Sequence, residues 1–151
     1  MPFVLADAAA RMERGLSHMY EMYLVRSLKR SYRRKFAHLM SPLDVDIDEL
    51  KGFWDFDDRI TAPLHGFEGV DHYYRESSCR QYLSGIERPT RIIHALDDPF
   101  MFARSVPNSD ELSECVELLL AERGGHVGFV SGRYPWRPEY WYEQQIVDFL
   151  T

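Results

Sequence analysis

The chain has 151 residues, of which 45% are hydrophobic and 28% charged, the balance of one ordinary globular domain. A net charge of −6 gives no reason to expect a nucleic-acid partner for the chain as a whole. No stretch approaches the roughly 18 continuous apolar residues of a membrane span, and no basic region precedes an apolar run as in a secretory signal. Cys79 and Cys115 stand outside any Cys-x-x-Cys pattern, so they read as small buried hydrophobes and the chain as cytoplasmic.

In chain order, Ala6 to Leu39 is helical, as one kinked helix or two, with Gly15 inside it. Met12, Leu16, Met19, Tyr20, Tyr23 and Leu24 share one apolar face at helical spacing. That face is expected to turn to the core, with lipid binding as the alternative. Residues 1–40 hold eight Lys/Arg against three Asp/Glu, most of the excess in Lys29–Lys35. Residues 41–71 hold nine acids and two bases, so the blocks are expected to pair, leaving a solvated helix face rather than a phosphate-binding one. Ser41-Pro42 ends the helical region. Asp46 to Trp54 reads as a short helix capped by Asp46 or Asp48. The acids of Asp55–Arg59 invite a metal or acid–base reading. Caps and an Asp–Arg pair are preferred, because His65 and His72 show no ligand spacing. Thr61–Phe67 reads as a loop, Gly66 and Gly69 as turns, and Asp71 as the cap of a helix through Ser78 carrying Tyr73 and Tyr74. A helical turn near Tyr82-Leu83 then leads to a strand entered from Pro89.

Arg91-Ile92-Ile93 and Val116–Leu120 are the convincing strands, apolar enough for a parallel sheet covered on both faces. Two parallel strands do not make a stable sheet, so the first is expected to need a partner on its other edge. Between them, Phe100–Pro107 is a loop and Ser109–Leu112 a brief turn or helix. Arg133–Pro138 reads as a proline-rich loop, and a last helix from Pro138-Glu139 to Leu150 is expected to set Tyr142, Ile146, Phe149 and Leu150 against the sheet. Trp136 and Trp141 are expected to pack.

Each strand ends in a loop bearing reactive groups. His94-Ala95-Leu96-Asp97-Asp98-Pro99-Phe100 follows the first, and Glu122-Arg-Gly-Gly-His-Val-Gly-Phe-Val130 follows the second. Gly124 and Gly125 allow a tight turn that presents His126 instead of packing it. The spacing from Asp98 to His126 accommodates one crossover, which brings both loops to the carboxyl edge of a parallel pair, where such sheets bind ligands. A carboxylate there can fix an imidazole tautomer and stabilise its protonated form.

Ile86–Phe100 resembles the triad-acid segment of the YheT-like α/β-hydrolases, and Gly124–Val130 resembles their triad-histidine segment. Asp55–Phe67 and Tyr73-Tyr74 are also similar to that family, so the resemblance runs from about Pro2 to Leu150. It implies an α/β fold, the C-terminal half of an α/β-hydrolase. In that reading about 5–85 form a cap-like helical region, and about 86–151 form a sheet edge with the last two parallel strands and the final helix. Asp98 and His126 are the implied catalytic residues, Asp98 rather than Asp97 because Asp-Pro-Phe-Met matches the family's acid position. Asp97 is expected to turn the loop or accept backbone hydrogen bonds.

No Gly-x-Ser-x-Gly occurs. Met1-Pro2-Phe3 looks like the end of a strand, so the nucleophile-bearing half is expected upstream or on another chain that completes the sheet. The implied substrate is a small acyl or lipid-like ester, with no metal, cofactor or nucleic acid. The alternative is a non-catalytic remnant, or half of a split enzyme, binding anionic lipid or nucleic acid through the basic helix.

Overall fold

The computed structural model describes residues 2–134 and 136–151. It divides into two compact units, Met1–Ser78 and Cys79–Thr151.

The first unit is helical. The predicted helical stretch is two helices, α1 (Leu5–Met12) and α2 (Ser17–Phe36). Gly15 separates them at φ +62°, a left-handed turn suited to glycine. Of the expected strand end, Met1 lies outside the described residues, Pro2 is irregular and Phe3 begins a bend that runs through Val4.

The inward edge of α2 also differs from expectation. It is Ser17, Glu21 and Val25, one helical stripe, whereas Leu16, Met19 and Tyr23 are 87%, 67% and 67% exposed. Glu21 explains the rotation. Its carboxylate is buried, Oε1 accepts the Phe53 N–H at 2.9 Å, and Oε2 meets His18 Nδ1 at 3.0 Å. Phe53 opens α3 (Phe53–Phe56), whose first N–H groups lack helical partners and favour an anion. A Cβ at Gly52 would lie 2.8 Å from that Oε1, so glycine permits the approach. Glu21→Ala leaves the Phe53 N–H without its acceptor. We expect urea denaturation to show this unit destabilised by about 1–3 kcal/mol; an unchanged midpoint would show that the contact contributes nothing.

Asp46–Trp54 is mostly turn rather than helix. Asp46 does not cap a helix; it folds back locally and accepts the Asp48 N–H at 2.9 Å. From α3 the chain continues through a π-helical segment, Asp57–Thr61, into α4 (Ala62–Leu64), so helix occupies part of the predicted Thr61–Phe67 loop. Gly66, at φ +78°, does turn the chain. In the acidic cluster the caps are present and, among the described residues, the Asp–Arg pair is not. Asp58 accepts the Val70 N–H at the start of α5 (Val70–Ser77), the role expected of Asp71. Arg59 pairs with Glu49 at 3.4 Å. Among the described residues no group of three or more His, Cys, Asp or Glu is placed to hold a metal.

Two apolar clusters hold this unit together. Ile47, Leu50, Phe56 and Ile60 form one, backed by Tyr32 and Leu43. Ala9, Val70 and Tyr74 form the other. Tyr74 donates to half-buried Asp57 at 2.8 Å and Thr61 donates at 2.7 Å. Burial pushes the Asp57 carboxyl up, and the two donors pull it partly back. Basic and acidic blocks meet as expected where Arg33 pairs with Asp48 and Lys29 Nζ donates to the Asp48 carbonyl at 3.3 Å.

The second unit is built on a parallel pair, β1 (Thr90–Ala95) and β2 (Val116–Ala121), in register from Thr90↔Val116 to Ala95↔Ala121. The crossover uses two 3₁₀ turns, Ala103–Ser105 and Ser109–Glu111. Both strands are only partly buried, not covered on both faces, and Leu120 is exposed. Where the sequence predicts a loop and a helix start, a hairpin follows: β3 (Val130–Tyr134) with antiparallel β4 (Arg137–Tyr140). Pro135, inside the expected loop, lies outside the described residues. The last helix, α6 (Trp141–Leu150), therefore starts later than expected. Ile146 and Leu150 are exposed; instead Arg91 of β1 donates to the Gln145 carbonyl at 2.7 Å and lies over the Phe149 ring. Among the described residues neither cysteine is in a disulfide, and both are half-buried.

Arg80, in the predicted turn before β1, clamps the crossover. Its guanidinium donates to both Glu111 oxygens at 2.7 and 2.6 Å and to the Arg104 carbonyl at 3.0 Å. The Arg80 hydrogen bonds hold the Glu111 carboxyl down at about 2. A carboxyl depressed in the folded state stabilises it above the ordinary value near 4.5, and this contribution disappears as pH falls from there toward 2. We expect Arg80→Ala to flatten the acid branch of the unfolding curve in that window; an unchanged slope would remove Glu111 from the account.

Candidate active site

The β1–β2 register decides what meets at the carboxyl edge. Ala95 and Ala121 are paired, and the Leu96 N–H donates to the Ala121 carbonyl at 2.9 Å, so the two chains leave the sheet side by side. Asp98 lies three residues beyond one strand and His126 five beyond the other. His126 Nδ1 is 2.9 Å from Asp98 Oδ2. The acid is 3% exposed at its side chain and the imidazole 48%. The other Asp98 oxygen accepts the Phe100 N–H at 2.8 Å, which fixes the carboxylate plane. The Phe100 ring meets the imidazole edge-on, with centroids 4.9 Å apart.

An ionised Asp98 can only accept, so the proton belongs on Nδ1 and Nε2 carries the lone pair. The result is a buried acid behind a half-open base.

The glycine loop is closed by the Phe129 N–H donating to the Gly124 carbonyl at 2.9 Å. Gly125 sits at φ +61°. A Cβ at Gly124 would fall 2.5 Å from Phe129 Cδ1 and 3.0 Å from the Ala95 Cβ, so no side chain fits there. Phe129 itself holds a positive φ of 42° while buried. Asp97 performs the backbone-accepting role expected of it: Oδ1 accepts the N–H groups of Gly124 at 2.8 Å and Gly125 at 2.9 Å. The Gly125 N–H, then that of Gly124, holds the Asp97 carboxyl below its ordinary range.

His94 is the group the sequence reading missed. The sequence puts it at the start of the acidic loop, but it is the fifth residue of β1 and buried. Burial lowers its pKa, the Asp98 charge opposes this, and His126 adds to it, so a second, largely neutral imidazole lies within electrostatic reach of the pair. Strand alternation was the only available signal.

The chain is 41% identical over 153 aligned residues to the putative esterase YheT of Escherichia coli (strain K12), covering 99% of this chain. The chain resembles the YheT-like α/β-hydrolases along nearly its whole length. The human monoacylglycerol lipase ABHD2 is 32% identical over 116 residues, 72% of this chain, and the human phospholipase ABHD3 is 27% identical over 124 residues, 81% of this chain. The chain spans 45%, 27% and 30% of those relatives' own lengths, respectively. No family model and no solved structure matches it. The parallel pair and helices are a partial α/β-hydrolase domain, and the similar proteins are named as esterase- and lipase-type enzymes. Among the described residues no helix is long and apolar enough to cross a membrane.

Proposed function

We propose that the chain supplies the general base and its orienting acid to an esterase-like serine hydrolase acting on carboxylic esters or related acyl substrates. The observation that carries this reading is the 2.9 Å contact between buried Asp98 and half-open His126 at the carboxyl edge of the parallel pair. The serine comes from outside these 151 residues, on the rest of the protein or on a second chain. It attacks the acyl carbonyl while His126 Nε2 takes its proton. Asp98 stays ionised and stabilises the imidazolium, which then protonates the leaving alcohol. A water repeats the cycle and releases the acid. The region 5–85 serves as the cap and 86–151 as the sheet edge. The relatives' names include an esterase, a monoacylglycerol lipase and a phospholipase, which favours a lipid-like carboxylic ester. Two cysteines outside any disulfide among the described residues accord with a cytoplasmic setting.

The test combines the chain, fused or in trans, with the segment that encodes a Gly-x-Ser-x-Gly in its source genome, and measures hydrolysis of a short-chain nitrophenyl ester. Activity is expected from the combination and from neither part alone. Hydrolysis that survives His126→Ala in the combination would overturn the assignment. If the genome encodes no such segment, the non-catalytic reading takes its place.

A further inference from the structure

The outward side of α2 is unusual in both of its halves. Leu16, Met19 and Tyr23 continue at helical spacing into Arg26, Arg30 and Arg33 as one stripe opposite buried Ser17, Glu21 and Val25. Two exposed apolar turns thus run into two exposed basic turns. Within α2, six Lys or Arg face a single acid, Glu21, which is buried. A cleft of about 500 Å³ opens beside the basic half, between α2 and the Asp48–Lys51 segment. Arg26, Lys29, Arg30, Arg33 and Lys51 line it against Asp48 alone, with exposed Met22 at its rim. Arg33 and Lys29 are engaged by Asp48. The side chains of Arg26, Arg30 and Lys51 have no carboxylate partner among the described residues.

We propose that this side of α2 docks on an anionic lipid bilayer, with lipid phosphates entering the basic cleft at Arg26 and Arg30 while Met19, Met22 and Tyr23 settle at the headgroup–acyl boundary. Charge complementarity selects an anionic partner. The contiguous apolar turns select one that also offers hydrocarbon, which a nucleic-acid backbone does not. Tyrosine and long cationic side chains suit that depth, polar end in water and stem in the interface. This surface is independent of the Asp98–His126 assignment.

The experiment is flotation of the whole chain with vesicles of phosphatidylcholine alone, and of phosphatidylcholine mixed with phosphatidylglycerol. Binding is expected only to the mixed vesicles, and is expected to be lost at high salt. Arg26→Glu with Arg30→Glu is expected to weaken it more than roughly tenfold. Arg26→Gln with Arg30→Gln, which keeps the charge change small and helix propensity high, is expected to fall between. Met19→Ser with Tyr23→Ser is expected to weaken binding even at low salt. All these side chains are exposed, and circular dichroism is the check that each variant keeps its helix. Equal binding to both vesicles, or to neither, overturns the proposal. So does binding that ignores the charge reversals, capture of single-stranded RNA in place of vesicles, uptake of free inorganic phosphate without vesicle binding, or a dimer that covers Tyr23.

Discussion

In the enzyme completed with its serine, Asp98→Asn is expected to lower kcat by about 10⁴-fold with little change in KM. Asp98 makes two contacts, and the substitution affects them unequally. The Phe100 N–H can still be accepted by an amide oxygen, so the loop keeps its path. The group facing His126 Nδ1 at 2.9 Å then becomes an amide N–H₂, a donor. The imidazole must accept at Nδ1, its proton moves to Nε2, and the base is presented in the wrong tautomer. The neighbouring carboxylate that would stabilise the imidazolium is also gone. Nitrogen-15 shifts of His126 in the isolated chain read the tautomer directly, without any nucleophile present. An Nδ1–H tautomer in the native chain and an Nε2–H tautomer in the variant are expected. A variant that keeps both the Nδ1 proton and the turnover would remove Asp98 from the reaction.

Much of this edge was legible in the sequence because short-range physics sets it. Two apolar runs of β length, each ending in a loop with an ionisable residue and separated by one crossover, leave few ways to arrange Asp98 and His126. Gly124 and Gly125 mark the turn for steric reasons that a sequence carries openly. The errors share a different cause. The apolar stripe of α2 was assigned inward by periodicity, yet Glu21 sets the rotation through a bond to Phe53, thirty-two residues away in the chain. A long-range contact of a buried carboxylate leaves no periodic trace. Asp46 suits a helix cap by residue type, but an aspartate also closes its own turn, and here the local bond prevails. The β3–β4 hairpin was hidden by Pro138, which reads as a helix opener. Both its strands are largely exposed, so no alternation of apolar residues announced it. His94 was misplaced because the end of β1 cannot be told from the start of a loop by composition alone.

Asp97→Ala is expected to cost the completed enzyme on the order of a hundredfold in kcat, although Asp97 need touch neither substrate nor His126. It is a positioning residue. Its single Oδ1 accepts from two successive amides, those of Gly124 and Gly125, and these lead directly into His126. The two loops of the site are joined twice: by Asp98 to the imidazole, and by Asp97 to the backbone beneath it. Without the second tie, a glycine pair that tolerates many conformations is free to carry His126 away from Asp98. The conservative replacement separates geometry from charge. Asp97→Asn retains an oxygen that can accept both amides and is expected to recover most of the activity. Two further readouts belong to the clamp alone: faster hydrogen exchange at the Gly124 and Gly125 amides, and a smaller population of the Nδ1–H tautomer of His126, each in Asp97→Ala and not in Asp97→Asn. The pH dependence follows from the same bonds. They hold the Asp97 carboxyl below its ordinary value of 3.8, so the clamp is fully ionised through the neutral range and is lost only as pH falls below that value. The neutral limb of the kcat profile should therefore be unmoved by Asp97→Asn. If the asparagine variant is as slow as the alanine variant while its glycine amides stay protected, the charge of Asp97, and not its grip on the loop, is what the reaction needs.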